Sequence, residues 1–543
     1  MTLSNRVNAS AVTGTRNRIP DVVPYSGLCA VCLDGCPGTC EVAKSSFRGR
    51  EVLYPEPFGK VTAGATKEYP VDYSHLNIMG SCVGAVGMAA DSDKAIFPNV
   101  GLETAIGAAD KIKMRLPIFT GALGSTDIAR LNWEGMAIGA AIAGISVVVG
   151  ENVCGMDANA EFKNGRVVKS PELARRIKSF RDWHEGYGAV IAQYNVEDGR
   201  VGTPELAIAL GADAIEAKWG QGAKDIGGEV KLPSLERALQ LKSRGYIVLP
   251  DPDDPIVQQA FRAGAFKEFE RHSRLGMVGE EEFCAEVERL RRLGAQYVTL
   301  KTGAYRPADL ARAIKYGSEA RVDLVTIDGA GGGTGMSPWR MMNEWGIPTI
   351  YLEAMAYSFA QRLAAKGKFV PDLAMAGGFS LEDHIFKAIA LGAPFVKAVC
   401  MGRATMIPAM LGKNVAEWMA TGKLPKEIAK YGDNVEQIYV GAAKLKERYG
   451  AETFRRIPVA ALGMYTFCDR IGAGLQQLMA GARKFSLAHL TRGDLVSLTK
   501  ECAEITGIPY VMDLDATEID HIIDGTTNGR DVDSMEPAGT AGS

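Results

Sequence analysis

The 543-residue chain lacks an excess of either charge: 61 Lys and Arg stand against 64 Asp and Glu, for a net of −3. That balance removes the electrostatic attraction on which binding to nucleic acid or to an anionic membrane depends. Long apolar runs are also missing; the longest stretches, such as Met136 to Val149, are interrupted by glycine and too short to cross a bilayer. Residues 1–20 contain no apolar core of a secretory signal, so the expected location is the cytoplasm. What remains, 47% hydrophobic and 23% charged residues, describes a globular protein large enough for one big domain with appendages or for two to four ordinary domains.

Cysteine is unevenly spread. Cys29, Cys32, Cys36 and Cys40 lie within twelve residues, whereas Cys82, Cys154, Cys284, Cys400, Cys468 and Cys502 are scattered singly and read as small core residues. In a cytoplasmic chain a cluster points to a metal or redox centre. Short loops rich in Gly and Pro, with Pro37 directly after Cys36, suit a [4Fe–4S] cluster. Zinc is the lesser alternative, because its sites more often pair two Cys-x-x-Cys units or include histidine, and no histidine is near. Disulfides are the third reading, and Cys82 is an alternative to Cys40 as fourth ligand.

Along the chain, residues 1–25 read as a polar arm and 26–115 as the cysteine-rich segment with a linking region of undefined structure. From residue 116 short apolar runs alternate with amphipathic helical stretches. Strands are expected near Pro117–Thr120, Ser146–Val149, Ala189–Gln193, Ala214–Lys218, Tyr297–Lys301, Asp323–Ile327, Asp372–Ala376 and Phe395–Val399. Helices are expected at Ile128–Ala143, Pro171–Trp183, Pro204–Leu210, Ser234–Ser243, Glu280–Leu293, Pro307–Tyr316 and Leu381–Leu391, with Ile247–Gly279 an insertion. Eight such repeats predict an α/β fold, a closed (β/α)8 TIM barrel over 116–410. It carries an N-terminal cysteine-rich iron–sulfur segment, a helical C-terminal extension over 411–525 and a disordered tail over 526–543.

In a barrel of this kind the chemistry sits at the carboxyl ends of the strands. The densest signal there is Asp328-Gly-Ala-Gly-Gly-Gly-Thr-Gly-Met-Ser-Pro338, five glycines in eleven residues. Each glycine costs roughly 0.5–1 kcal/mol relative to alanine in a regular element, so this density calls for a compensating role, and close approach to a ligand supplies one. The fourth strand ends in Lys218-Trp-Gly-Gln-Gly-Ala-Lys224, two ammonium groups and a carboxamide suited to a dicarboxylate. Gly377 and Gly378 after the seventh strand, with Gly402 and Arg403 after the eighth, offer backbone N–H groups and a cation for a phosphate. Lys301, in the middle of the mouth, would stabilise negative charge on a reduced ring. Glu151, after the second strand, is either a proton relay or merely a carboxylate at a helix start.

Taken together, Phe119-Thr-Gly-Ala, Lys218-x-x-Gln-Gly-Ala-Lys224, Lys301, Gly332-Gly-Thr-Gly-Met-Ser-Pro338 and Gly377-Gly378 resemble the FMN-binding domain of glutamate synthase and its shorter stand-alone relatives. The resemblance covers roughly 116–410. It implies FMN across the mouth, held by Thr120, Gly121, Ala122, Lys301, Gly332, Gly333, Thr334, Gly377, Gly378, Gly402 and Arg403. It further implies an oxidoreductase acting on CH–NH2 donors, in which Lys218, Gln221, Lys224 and Glu151 serve the reduction of 2-iminoglutarate, formed from 2-oxoglutarate and ammonia, to L-glutamate.

Departures from the pattern shape the rest of the expectation. After the eighth strand only Cys400 stands where the family carries three cluster cysteines, so the Cys29–Cys40 group is the expected electron entry, fed by a ferredoxin or an electron-donor subunit. No glutaminase region is expected ahead of the barrel, and ammonia is expected from solution or a separate subunit, within an oligomer. Ala330-Gly331 replaces the usual His-Asp, and Asp225 replaces a proline. These changes keep open a related enzyme for another imino acid, such as N-methylglutamate, and a non-catalytic electron-transfer subunit.

Overall fold

The computed structural model describes residues 63–65, 67–108, 112–223, 226, 229–334 and 337–525. The expected arm, the cluster Cys29, Cys32, Cys36 and Cys40, and the expected disordered tail lie outside them.

Eight parallel strands form one sheet: β1 (Ile118–Thr120), β2 (Val147–Val149), β3 (Val190–Tyr194), β4 (Ala214–Lys218), β5 (Tyr297–Thr302), β6 (Leu324–Asp328), β7 (Asp372–Ala376) and β8 (Val396–Met401). Each falls where the apolar alternation predicts. The sheet closes on itself, since β1 pairs with β8 through Val399–Ile118, Cys400–Phe119 and Met401–Thr120, and meets β2 through the parallel bridges Phe119–Ser146 and Leu123–Val149. The outer ring is α1 (Asp127–Ala143), α2 (Pro171–Arg181), α3 (Thr203–Ala209), α4 (Glu280–Arg292), α5 (Pro307–Glu319), α6 (Thr349–Ala364), α7 (Glu382–Leu391) and α8 (Arg403–Ala420). Helix starts follow local chemistry: Thr126 and Ser170 accept the N–H of Ala129 and Leu173, and Pro171 and Pro307 occupy first turns.

One end of the barrel is stoppered. The hairpin Thr104–Ile106 with Ile112–Met114 sends Ile106, Ile112 and Met114 into the same buried cluster as Phe119, Val148, Ile191, Leu324 and Ala398. Asp372 and Asp323, at the amino ends of β7 and β6, accept the Gly107 and Ala108 N–H groups at 3.0 and 2.9 Å. Among the described residues only the carboxyl end is therefore open to a ligand. The stretch expected as an undefined link is thus part of the barrel floor, and Leu76–Ile78 pairs antiparallel with Leu495–Ser497 from the far end of the chain.

Two further expectations change. The helix at 235–243, read as a barrel helix, instead packs on a three-stranded antiparallel sheet, Glu229–Leu232, Phe269–His272 and Ile247–Leu249 in spatial order. The insertion after β4 thus starts near residue 229, and α4 is the helix that returns to the barrel. Of the single cysteines, Cys154, Cys400, Cys468 and Cys502 are buried and Cys284 half-buried, whereas Cys82 is exposed rather than core. The long helix Val459–Gly481 lies against α1 and α8 at glycines: a Cβ at Gly135 or Gly412 would come within 2.2 or 2.7 Å of Ala460. Among the described residues no helix is long and apolar enough to cross a membrane.

Candidate active site

The open end holds a cavity of about 720 Å³ lined by the loops after β1, β4, β6, β7 and β8, with Lys301 on its floor. That volume lies within the ordinary range for a cofactor or substrate site. Lys301 is 7% exposed, and its Nζ is 3.0 Å from Asp328 Oδ2. Burial alone would pull this ammonium down. The Asp328 carboxylate, with Glu216 behind it, more than offsets that and holds Lys301 above the usual lysine range. Beneath it Glu216 accepts from Gln193 Nε2 at 2.6 Å, and burial pushes its carboxyl up, against the pull of Lys301 and Gln193. Burial likewise pushes the Cys400 thiol up to about 12, so the cavity floor carries a fixed ammonium beside a neutral thiol.

The glycines have two functions here. Some exist because neighbouring loops touch: a Cβ at Gly222 would come within 2.0 Å of Gly329 O, and one at Gly121 within 2.7 Å of Gly402 Cα. Ser337 Oγ donates to Ala223 O at 2.7 Å, tying the loop after β6 to the loop after β4. Others, Gly331, Gly332, Gly333, Gly378 and Gly402, line the cavity itself. A Cβ at Gly402 would meet nothing within 4 Å.

The other candidates separate into those the fold gathers at the cavity and those it does not. Gly121, Ala122, Thr334, Gly377 and Arg403 line it with Lys301 and Gln221. Arg403 opens α8 and makes no hydrogen bond or ion pair with a described residue, and partial burial lowers its pKa. Thr120 is not on the lining; its hydroxyl accepts the Val148 N–H at 3.0 Å, so it holds β1 to β2. Lys218 also stands behind the lining, because its Nζ donates to Glu151 Oε1 at 2.6 Å and to Gln221 Oε1 at 3.0 Å. Glu151, Lys218 and Gln221 thus form one chain of contacts that ends at the cavity. Lys224 lies outside the described residues.

Sequence reasoning missed part of the wall. Phe379, His384 and Lys387 line the cavity, as does Ser74 from the segment ahead of the barrel. His384 Nδ1 accepts the Ser380 N–H at 3.2 Å, and Lys387 Nζ donates to Tyr73 O at 3.0 Å. Burial lowers the pKa of both. The spacing of His384 and Lys387, three residues apart on a helix that follows a glycine pair, was a usable signal, being one helix face. Ser74 gave none, since only the tertiary fold brings it here. Its neighbour Tyr73 is clamped by a short hydrogen bond to the buried Glu353 and by edge-on contact with Phe379 at 5.2 Å.

Residues 272–439 match the family model described as the conserved region in glutamate synthase. They hold β5 to β8, and with them Lys301, the glycine run, Gly377, Gly378 and Arg403. A glutamate synthase large subunit-like protein of Rhizobium meliloti (strain 1021) is 27% identical over 306 residues, 55% of this chain and 62% of that protein. The archaeal glutamate synthase [NADPH] of Methanocaldococcus jannaschii is 31% identical over 218 residues, 39% of this chain and 37% of that protein. The chain therefore spans less than two thirds of the length of the curated relatives it matches. A solved mandelate oxidase variant with a monooxide FMN adduct overlays with a TM-score of 0.40 at 13% identity, covering 76% of this chain and 86% of that one, a likeness too slight to carry weight. The chain resembles the FMN-binding domain of glutamate synthase.

Proposed function

We propose that this chain, resembling glutamate synthase in that way, holds FMN in the cavity and reduces 2-iminoglutarate, formed from 2-oxoglutarate and ammonia, to L-glutamate. The observation that carries the reading is the presence at one cavity of two cations: the buried Lys301 on its floor, held above the usual lysine range by Asp328, and Arg403 at the start of α8, which pairs with none of the described residues. A phosphorylated ring that becomes an anion on reduction needs those two cations at separate ends. The residues fit such a group: bare backbone at Gly377, Gly378 and Gly402 with the Arg403 guanidinium would hold the phosphate, and Gly332, Gly333, Thr334 and Lys301 would hold the rest, Lys301 supplying the cation that the reduced ring needs. When bound, the flavin supplies the hydride.

Everything else is done by the chain. Gln221 and Lys218, with Lys224, are assigned to the two carboxylates of the substrate, and Glu151 holds Lys218 in place and accepts or returns the proton that imine formation and reduction exchange. Asp328 keeps Lys301 from turning away. The cysteines Cys29, Cys32, Cys36 and Cys40 are assigned to a [4Fe–4S] cluster that receives electrons from a ferredoxin or donor subunit, and ammonia comes from solution or from a separate glutaminase. A second reading, an enzyme for another imino acid such as N-methylglutamate, is favoured by Gly331, which lines the cavity with no side chain where the resemblance expects a charged one.

Anaerobically purified protein should carry one FMN per chain and about four irons, and its reduced flavin should be reoxidised by 2-oxoglutarate with ammonium and by neither alone. Absence of flavin would end the central claim. Reoxidation by a keto acid with methylamine instead of ammonium would select the second reading.

A further inference from the structure

The insertion between β4 and α4 is not a free appendage. It is built onto the segment that follows β2: Arg244 Nη1 donates to Gly155 O and Asp157 O at 2.8 Å, and a Cβ at Gly155 would come within 1.6 Å of the Tyr246 hydroxyl. Its deepest contact is Arg271, on the central strand Phe269–His272 of the insertion sheet and 1% exposed. Arg271 Nη1 donates to Asn152 Oδ1 at 3.2 Å and to Ser273 Oγ at 3.0 Å, while its Nε is buried with no hydrogen-bond partner among the described residues. A buried guanidinium with an open donor costs stability that an apolar side chain of similar volume would not. Burial pulls its pKa down, against Tyr246, Glu197, Asp198 and Glu151.

Asn152 is the residue directly after Glu151. It sits in the left-handed region at φ 66, ψ 10, and it is held twice, by Arg271 at its amide oxygen and by Asp198 Oδ2, which accepts its backbone N–H at 2.8 Å. On the other side the Glu151 carbonyl lies where a Cβ at Gly124 would be, 2.7 Å away. The peptide carrying Glu151 is therefore clamped on both flanks, and its carboxylate stands 2.6 Å from Lys218 Nζ. The other charged groups facing this spot are Asp198, its neighbour Glu197, and Arg274, which pairs with Glu197 at 2.8 Å. We propose that Arg271 is a positioning residue for the Glu151–Lys218 pair, so that the insertion is a working part of the site, acting through Asn152. The role in turnover rests on the function proposed above; the role in geometry does not.

The test uses Asn152→Gly in the full chain. Glycine adopts φ 66 without strain and keeps the N–H to Asp198, so this change leaves the backbone conformation allowed while deleting the carboxamide that Arg271 holds. Reductive methylation of Lys218, followed by peptide mass spectrometry with and without FMN, reads the pair directly. Labelling should rise about fivefold in Asn152→Gly and Arg271→Met, as in Glu151→Gln, with exposed Lys368 unchanged, and the double variant Asn152→Gly with Glu151→Gln should label no faster than Glu151→Gln alone. Lys218 labelled at the wild-type rate in Asn152→Gly, or effects that multiply in the double variant, would overturn the proposal. Should Arg271→Met fail to fold, Asn152→Gly still decides. In turnover, Asn152→Gly should slow reoxidation by 2-oxoglutarate with ammonium about tenfold while KM for 2-oxoglutarate stays within about threefold. If the wild type itself is not reoxidised, the substrate assignment falls and the labelling result stands.

Discussion

Asp198 is fully buried beside Glu151, and its carboxyl is pushed up to about 6, first by burial and then by the Glu151 charge, although it accepts the N–H groups of Asn152 and Asn195 and the Thr203 hydroxyl. A carboxyl raised on folding binds its proton more tightly in the native state. Its contribution to stability is complete below the ordinary aspartate pKa and is lost as pH rises through about 6. The displacement corresponds to something on the order of 3 kcal/mol. Thermal midpoints of the apoprotein should therefore fall between pH 4.5 and 7 by an amount that Asp198→Asn abolishes; an identical slope in the variant would refute the assignment. At this scale the residue types were readable: Lys218, Gln221, Lys301 and Arg403 announce cations and an amide at strand ends. Their pairings were not, because Lys301 with Asp328 joins the ends of the neighbouring strands β5 and β6 and Lys218 with Glu151 joins β4 to β2 across β3, contacts that depend on strand order and sheet curvature.

Loops and strands set the next scale. The loop after β7 holds Gly377 at φ 113, and a Cβ there would come within 2.5 Å of Gly329 O and of Thr349 Oγ1. Gly377→Ala should cost about 2–4 kcal/mol and spread the loops that wall the cavity. Gly402→Ala is the contrast: a Cβ meets nothing within 4 Å, so the fold should keep its melting temperature while flavin content drops because the methyl occupies space beside the cavity. Equal flavin content in wild type and Gly402→Ala would remove Gly402 from the phosphate assignment. The eight strands were legible because each is a short apolar run between glycines and amphipathic helices. The helix at 235–243 was legible as a helix but not by its place, since amphipathic periodicity reports that one face is covered and says nothing about what covers it.

Across the whole molecule, segments far apart in the chain are woven together. Leu495–Ser497 pairs with Leu76–Ile78, and Arg492 donates to Leu391 O at 2.6 Å while covering the Tyr357 ring at 4.1 Å. Leu487, Leu490, Leu495, Val496, Cys502 and Ile508 are all buried. Burying six such side chains is worth on the order of 10 kcal/mol, comparable with the whole stability of an ordinary domain. A chain cut after Ser486 should consequently yield no cooperative, flavin-containing protein; recovery of both with an unchanged melting temperature would show that this segment is dispensable. By itself the sequence determined the repeat of strand and helix, the end of the barrel at which the cavity opens, and the residue types there, because these depend on local period, turn chemistry and the rule that ligands sit at the carboxyl ends of parallel strands. Tertiary structure alone decided that Thr120 braces a strand instead of facing the cavity, that Ser74, His384 and Lys387 complete its wall, and that the insertion's Arg271 reaches Asn152. Those are contacts between residues tens to hundreds of positions apart, and no local pattern encodes them.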